Sequence, residues 1–223
     1  METIFVAGTG TEVGKTYVAK GLAATMRAGG IRVGVYKPVA SGCIRQEVSV
    51  VDYSNADGTS LVSSDALALW EAAGRPRDLV AVCPQRFEAP LSPNEAARRE
   101  GKTVDIDKMI NDIRGWGDHC DTLIVEGAGG LMSPLAEQML NVDLFKRLPR
   151  ATLFLVASNR LGVIHDVIAT CRAATASGVA VARLYLSAAN ADGDLSCQSN
   201  AEQIRHWLPG INVQVIDWGG AVE

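Results

Sequence analysis

The run Gly8-Thr9-Gly10-Thr11-Glu12-Val13-Gly14-Lys15-Thr16 constrains this chain more than any other stretch. Ahead of it, Thr3-Ile4-Phe5-Val6-Ala7 is apolar and β-branched, the composition of a strand buried on both faces. Behind it, Tyr17 to Ala28 holds good helix formers, with Val18, Leu22 and Met26 at helical spacing. Buried strand, glycine turn, Lys-Thr and helix together describe a loop that holds phosphate. Its backbone N–H groups converge on the anion, the helix dipole favours negative charge, and the Lys15 ammonium faces the β- and γ-phosphates. The Thr16 hydroxyl is then placed for Mg²⁺. Gly8 to Gly14 encloses five residues where the common pattern has four, because Thr9 stands where the first glycine is expected. A chance strand-to-helix turn ending in Gly-Lys-Thr is the competing account, and average composition makes that rare.

With 223 residues, the chain is long enough for one domain, 1–223, built around a buried sheet. Hydrophobic residues make up 48%, which suits strands covered on both faces. The net charge of −4, with no basic block, argues against nucleic acid as a partner. Five cysteines (Cys43, Cys83, Cys120, Cys171 and Cys197) are scattered without a Cys-x-x-Cys pair, as reduced thiols in a cytoplasmic protein would be. No targeting segment is visible and no apolar run approaches membrane-spanning length, so no membrane partner is expected.

Strand and helix patterns alternate along the rest. Strands are predicted at Ile31–Tyr36, Leu79–Cys83, Thr122–Val125, Thr152–Ala157, Val179–Leu186 and Val213–Ile216. Helices are predicted at Asp65–Ala73 with Ser64 as N-cap, from Pro93 and from Asp105, and at Val163–Ala176 and Ala201–Leu208. Gly42 to Ser63 is polar and Ser-rich and reads as a mobile surface excursion. Repeated βα alternation argues an α/β fold: three layers, a mostly parallel central sheet, and a site at the carboxyl ends of the strands.

Three further clusters fall at such strand ends. Lys37-Pro38-Val39-Ala40-Ser41-Gly42 places a lysine where a buried strand stops, which by itself also fits a snorkelling surface charge. Leu123-Ile124-Val125-Glu126-Gly127-Ala128-Gly129-Gly130 closes an apolar strand with a carboxylate, the usual position of a Mg²⁺-site acid beside a phosphate loop. Its glycines let backbone N–H groups approach an anion; a flexible turn with an exposed glutamate is the plain alternative. In Ser64-Asp65-Ala66-Leu67, Asp65 is either a helix-start acid or a second metal carboxylate.

Taken in order, the blocks Gly8–Thr16, Lys37–Gly42, Ser64–Leu67, Ala89-Pro90-Leu91-Ser92-Pro93 and Val125–Gly130 resemble dethiobiotin synthase, over roughly the first 135 residues. The resemblance implies a P-loop NTPase fold, a homodimer, and an ATP- and Mg²⁺-dependent carboxylation of 7,8-diaminopelargonate by CO₂ from bicarbonate, with closure of a cyclic urea. It implies Lys15 and Lys37 as catalytic lysines. Glu12, Val13, Gly14, Lys15, Thr16, Tyr17, Glu126, Gly127, Ala128 and Gly129 would hold the nucleotide, and Thr11, Lys37, Ser41 and Gly129 the diamine and its carbamate. Thr16, Asp65 and Glu126 would ligate Mg²⁺.

The second half departs from the family pattern. Leu161-Gly162-Val163-Ile164-His165-Asp166 has His165 and Asp166 where relatives commonly carry Asn and His, residues that reach substrate across a dimer. Where many relatives carry an adenine-reading Asn, this chain has Ser187-Ala188-Ala189, with Asn190 three residues late, so weakened selectivity for ATP is expected. A partition- or division-site ATPase switch would need a second lysine where Gly10 stands and an amphipathic tail where the chain reads Trp218-Gly219-Gly220-Ala221-Val222-Glu223. A silent nucleotide-binding paralogue would not need every residue around the transferring phosphoryl, and a small-molecule kinase would leave the Lys37 block without a purpose.

Overall fold

The computed structural model describes residues 1–47, 59–188 and 190–222. β1 (Glu2–Gly8) runs through the glycine loop into α1 (Lys15–Ala28) and returns as β2 (Val33–Tyr36). Short pieces follow: β3 (Val39–Ala40), β4 (Ile44–Glu47), β5 (Thr59–Val62), α2 (Ser64–Ala72), α3 (Leu79–Val82), β6 (Gln85–Arg86), α4 (Pro93–Arg99) and α5 (Ile106–Arg114). Next come β7 (Thr122–Gly130), β8 (Pro134–Ala136), β9 (Met139–Leu140) and α6 (Asn141–Lys146). The remainder alternates: β10 (Ala151–Asn159), α7 (Val163–Ala176), β11 (Val181–Ala188), a 3₁₀ turn at Leu195–Gln198, α8 (Asn200–Trp207) and β12 (Val213–Ile216).

Six strands form the central sheet in the order β12-β11-β10-β1-β7-β2, and every neighbouring pair is parallel. Among the described residues, antiparallel pairing is confined to two small ribbons outside it, β4/β5 and β8/β9. From β1 the chain first moves toward β2, and after β7 it crosses to β10 on the other side. The order reverses at β1, so the crevice at its carboxyl end is where such a sheet receives a ligand.

Alternation along the strands sorts the layers. Phe5 is in register with Leu153 and meets Phe145 of α6 edge-on, with ring centroids 5.9 Å apart. On that same face Leu155 and Ala157 pack with Val163 and Val167 of α7 and Ile204 of α8. Val156 points the other way and joins the cluster containing Val18 and Leu22 of α1. Helices on both faces of a parallel sheet give the expected three-layer α/β fold of P-loop NTPases.

Some elements differ from the sequence reading. Leu79–Cys83 is not a strand: Leu79–Val82 is a helical turn because the Asp78 carboxylate accepts the Ala81 N–H at 2.6 Å. An apolar run that short carries no period to separate strand from helix, and the cap decides. Ser63, not Ser64, caps α2, accepting from the Ala66 N–H at 3.3 Å. The two ends of the Gly42–Ser63 excursion pair as β4 and β5, and its interior, 48–58, lies outside the described residues. Strand geometry also continues past Val125 to Gly130, so Glu126 belongs to β7 rather than to a turn.

Candidate active site

The loop after β1 is shaped by Gly14, the N-cap of α1, whose φ of 96° lies in the left-handed region. A side chain there would be strained and would also meet the Ser187 hydroxyl, 2.7 Å from an added Cβ. Lys15 opens the helix, folds back and donates from Nζ to the Gly10 carbonyl at 2.7 Å. Its ammonium is buried, which lowers its pKa to about 8; Glu126 opposes that shift and Lys37 adds to it.

Opposite the loop, Lys37 leaves β2 as a buried ammonium, not a snorkelling surface charge. Its Nζ lies 2.5 Å from Glu126 Oε1 and 2.9 Å from Asp65 Oδ2. Burial by itself would lower the Lys37 pKa, but Glu126 and then Asp65 hold it above the ordinary lysine range. Asp65 sits in the first turn of α2; burial would raise its pKa, yet Lys37 outweighs that and the Thr16 hydroxyl helps hold it low. Glu126, at the carboxyl end of an apolar strand, is fully buried. Its Oε1 accepts from Thr16 Oγ1 at 3.0 Å as well as from Lys37. Five residues from four separate segments thus share one pocket of charge.

Glu126 Oε2 is buried and has no hydrogen-bond partner. A buried carboxylate oxygen left bare is costly unless something else satisfies it. Together with the Thr16 hydroxyl and the Asp65 carboxylate it forms a set of hard oxygen donors, the set Mg²⁺ selects. Among the described residues no group of three or more His, Cys, Asp or Glu is placed to hold a metal. Two carboxylates and a hydroxyl suit an ion that takes its remaining ligands from phosphate and water.

The Glu126–Gly130 end of β7 is held from behind by Asn141, which the sequence reading did not single out. Its buried carboxamide donates to the carbonyls of Ala128 and Gly130, both at 2.8 Å, and accepts the Ala128 N–H at 3.1 Å. A polar residue at the start of a helix looks like an ordinary cap, and only the contact across to β7 reveals the clamp. Ser41 is engaged too, donating from Oγ to the Leu91 carbonyl at 2.6 Å.

A cavity of about 810 Å³ opens on these groups. Thr11, Glu12, Gly14, Lys15, Thr16, Tyr17, Lys37, Ser41, Asp65, Glu126, Ala128 and Gly129 all line it, with Pro90, Leu91, Pro93 and Pro134 supplying apolar wall. Gly127 does not line it, and Val13 lines instead a second cavity of about 420 Å³ on the other side of the loop. The first residues of the loop and helix, Glu12, Gly14 and Tyr17, line both.

A family model described as "AAA domain" matches residues 2–216. An ATP-dependent dethiobiotin synthetase of Rhodopirellula baltica is 47% identical over 212 residues, 91% of this chain and 79% of that protein. The enzymes of that name from Caulobacter vibrioides and Bacillus cereus are 39% and 35% identical, over 84% and 96% of this chain and 80% and 81% of their own. The chain belongs to the dethiobiotin synthetase family. Membership extends well beyond the blocks near the loop, since the aligned stretches take in the later strands as well. A signal recognition particle receptor FtsY from Elizabethkingia anophelis overlays at a TM-score of 0.49 and 14% identity, covering 96% of this chain and 58% of that one, too weak a likeness to argue from.

Within this dethiobiotin synthetase family member, His165, Asp166 and Asn190 sit away from the charged pocket. Asp166 is paired with Arg160 at 2.9 Å, and His165 is exposed on α7; neither lines the two cavities. Asn190 accepts the Gly193 N–H at 2.7 Å within its own turn and lines neither cavity.

Proposed function

We propose that this chain makes dethiobiotin for biotin biosynthesis: it carboxylates 7,8-diaminopelargonate with CO₂ and closes the cyclic urea at the expense of ATP, giving ADP and phosphate. One observation carries the reading. The phosphate-loop lysine and a second buried lysine face one another across two acids and a hydroxyl, at the mouth of a cavity with one apolar wall. That is the charge a reaction between two anions requires, beside room for an aliphatic chain.

In this reading one amine of the substrate adds to CO₂ and loses a proton, forming a carbamate. A carbamate oxygen attacks the γ-phosphorus, the bond to the ADP oxygen breaks, and a carbamic–phosphoric anhydride results. The second amine attacks the carbamoyl carbon, phosphate leaves with the C–O bond pair, and loss of a proton completes the urea. Lys37 holds the carbamate oxygens and the charge growing on the transferring phosphoryl. Lys15 releases the Gly10 carbonyl and turns to the β- and γ-phosphates, where binding an anion restores full charge to an ammonium depressed by burial. Thr11, Ser41 and the Gly129 N–H orient the carbamate, and the N–H groups from Val13 to Tyr17 receive the phosphates.

Thr16, Asp65 and Glu126 would hold Mg²⁺, which neutralises phosphate charge when bound. The apolar wall of Pro90, Leu91 and Pro93 lies along the aliphatic part of the diamine. A homodimer, with Leu161–Asp166 near the carboxylate end of the substrate, completes the proposal.

Phosphate release from ATP, measured with and without diaminopelargonate and bicarbonate, tests it, with the cyclic urea detected by mass. Release that depends on both, with urea in equal amount, is expected. Hydrolysis indifferent to the diamine points instead to a nucleotide switch.

A further inference from the structure

A separate cavity of about 300 Å³ lies between α3 and α5 and shares no lining residue with the two above. Trp116 lines it and is wholly buried. One edge of the indole rests against β2, where a Cβ added to Gly34 would come 2.8 Å from Trp116 Cε3. The ring nitrogen belongs to the opposite edge, so its N–H turns away from the sheet, toward the helices around the cavity. That N–H is buried and among the described residues has no hydrogen-bond partner, whereas Trp70 gives its indole N–H to the Arg77 carbonyl at 2.6 Å. An indole N–H only donates, and left bare it carries the cost of any buried polar group. The Arg77 guanidinium lies over the Trp116 ring, 5.0 Å from its centroid, and Nη1 meets the Gly115 carbonyl at a long 3.4 Å. Among the described residues Arg77 is in no ion pair. The other charges facing the cavity are engaged: Lys108 pairs with Asp112 at 3.0 Å, and Asp78 accepts the Ala81 N–H at 2.6 Å.

We propose that this cavity is a regulatory site for a small aliphatic carboxylate, held by Arg77 and by the Trp116 N–H. The guanidinium presents a planar fork of donors that fits a carboxylate, and its hold on a ring face and one long bond is readily exchanged for an anion. As Arg77 turns to the ligand it uncovers the indole, whose N–H then meets an acceptor. Val80, Ala81 and Pro84 give the aliphatic part an apolar wall, and about 300 Å³ is the small end of ligand pockets. Two contacts connect this cavity with the charged pocket. The Lys37 N–H donates to the Val82 carbonyl at the end of α3 at 2.8 Å, and the Tyr36 hydroxyl lies 3.5 Å from Asp112 Oδ2 on α5. An occupant that parts α3 from α5 therefore moves the backbone from which Lys37 reaches Glu126 and Asp65, and lowers turnover. This link rests on the reading above that Lys37 is catalytic. The substrate and product of the proposed reaction are both aliphatic carboxylates, so the reaction's own acids are one source of the ligand and free fatty acids another.

The indole N–H resonances of the ¹⁵N-labelled full chain test this directly. The chain has four tryptophans, and Trp116→Phe identifies the Trp116 signal, or triple-resonance assignment does if that variant does not fold. Titration with octanoate is expected to move the signal downfield and to saturate, and octylamine, the same chain with the opposite charge, to leave it in place. Dethiobiotin separates the sources: a matching shift assigns the site to the reaction's own acids, and a response to octanoate alone assigns it to free fatty acids. Arg77→Gln, and Val80→Glu at the half-open rim, should each weaken octanoate by about tenfold or more. Turnover at saturating diamine should fall with octanoate in the wild type and hold steady in Arg77→Gln. A Trp116 signal that neither acid moves, or that octylamine moves as far, overturns the site, as does a shift that survives both substitutions. Binding without a change in turnover overturns the link to Lys37. A chain that makes no cyclic urea overturns the synthase reading and leaves the indole result standing.

Discussion

The Lys37 ammonium lies 2.5 Å from Glu126 Oε1, with both groups buried, and Asp65 completes the cluster at 2.9 Å. Removing the cation from such a pair leaves buried negative charge without compensation, which costs about 3–5 kcal/mol. For a chain of this size that corresponds to a fall in Tm of roughly 6–20 °C. Lys37→Gln is therefore expected to melt lower in EDTA and to recover part of the loss in millimolar Mg²⁺, whose charge replaces the missing one. Turnover should fall by about a hundredfold or more while ATP affinity changes little. A folded Lys37→Gln enzyme with wild-type turnover refutes the catalytic role.

Glu126→Gln probes the same pocket from the other side. The substitution keeps the shape and the bond to Lys37 but removes the charge that a divalent cation needs. The Mg²⁺ concentration for half-maximal activity is expected to rise by about ten- to a hundredfold, with a smaller change in maximal rate. An unchanged Mg²⁺ requirement would take Glu126 out of the metal set.

Asn141→Ala removes the carboxamide that ties Ala128 and Gly130 and leaves buried backbone groups unpartnered. A loss of about 2–4 kcal/mol is expected in denaturant unfolding. Because Gly129 sits between the tied residues and lines the cavity, KM for the diamine should rise more than KM for ATP. Equal changes in both, or in neither, would make Asn141 a structural residue alone.

Lys15 carries a pKa near 8 in the unliganded protein, below the ordinary lysine value of 10.5, because burial disfavours its charge. A triphosphate stabilises the ammonium and raises that value. Binding of Mg·ATP should then take up about half a proton at pH 8 and about a tenth at pH 7. The sign follows: affinity falls as pH rises through 8, where more of the free protein must be protonated before it binds. Calorimetry in two buffers of different ionisation enthalpy reads the uptake. Uptake that does not grow between pH 7 and pH 8 contradicts the assignment.

Much of this site was legible along the chain because its parts sit at strand ends, where apolar patterning stops abruptly. Lys15, Lys37 and Glu126 each follow or close an apolar run, and Asp65 sits in the first turn of a helix behind a serine cap. Helix α7 and strand β12 match their expected limits, since long periodic runs and glycine boundaries leave little freedom. The expected strand Leu79–Cys83 is instead a helical turn over Leu79–Val82, because so short an apolar run fits either period. Asn141 was missed because its partners are backbone atoms thirteen or fewer residues away on another strand, and no side-chain pattern announces them.

By itself, then, the sequence determined the alternation of buried strands and helices, the phosphate loop and the kinds of charged group at its edge. Those follow from periodicity, turn chemistry and residue type, all local properties. Tertiary structure alone decided that Lys37 pairs with Glu126 rather than reaching solvent, and that Lys15 is depressed rather than ordinary. It also decided that the segment after β12 lies on α1 beside the loop. The two lysine environments depend on which strands are neighbours: β7 enters between β1 and β2, and burial there sets the electrostatics.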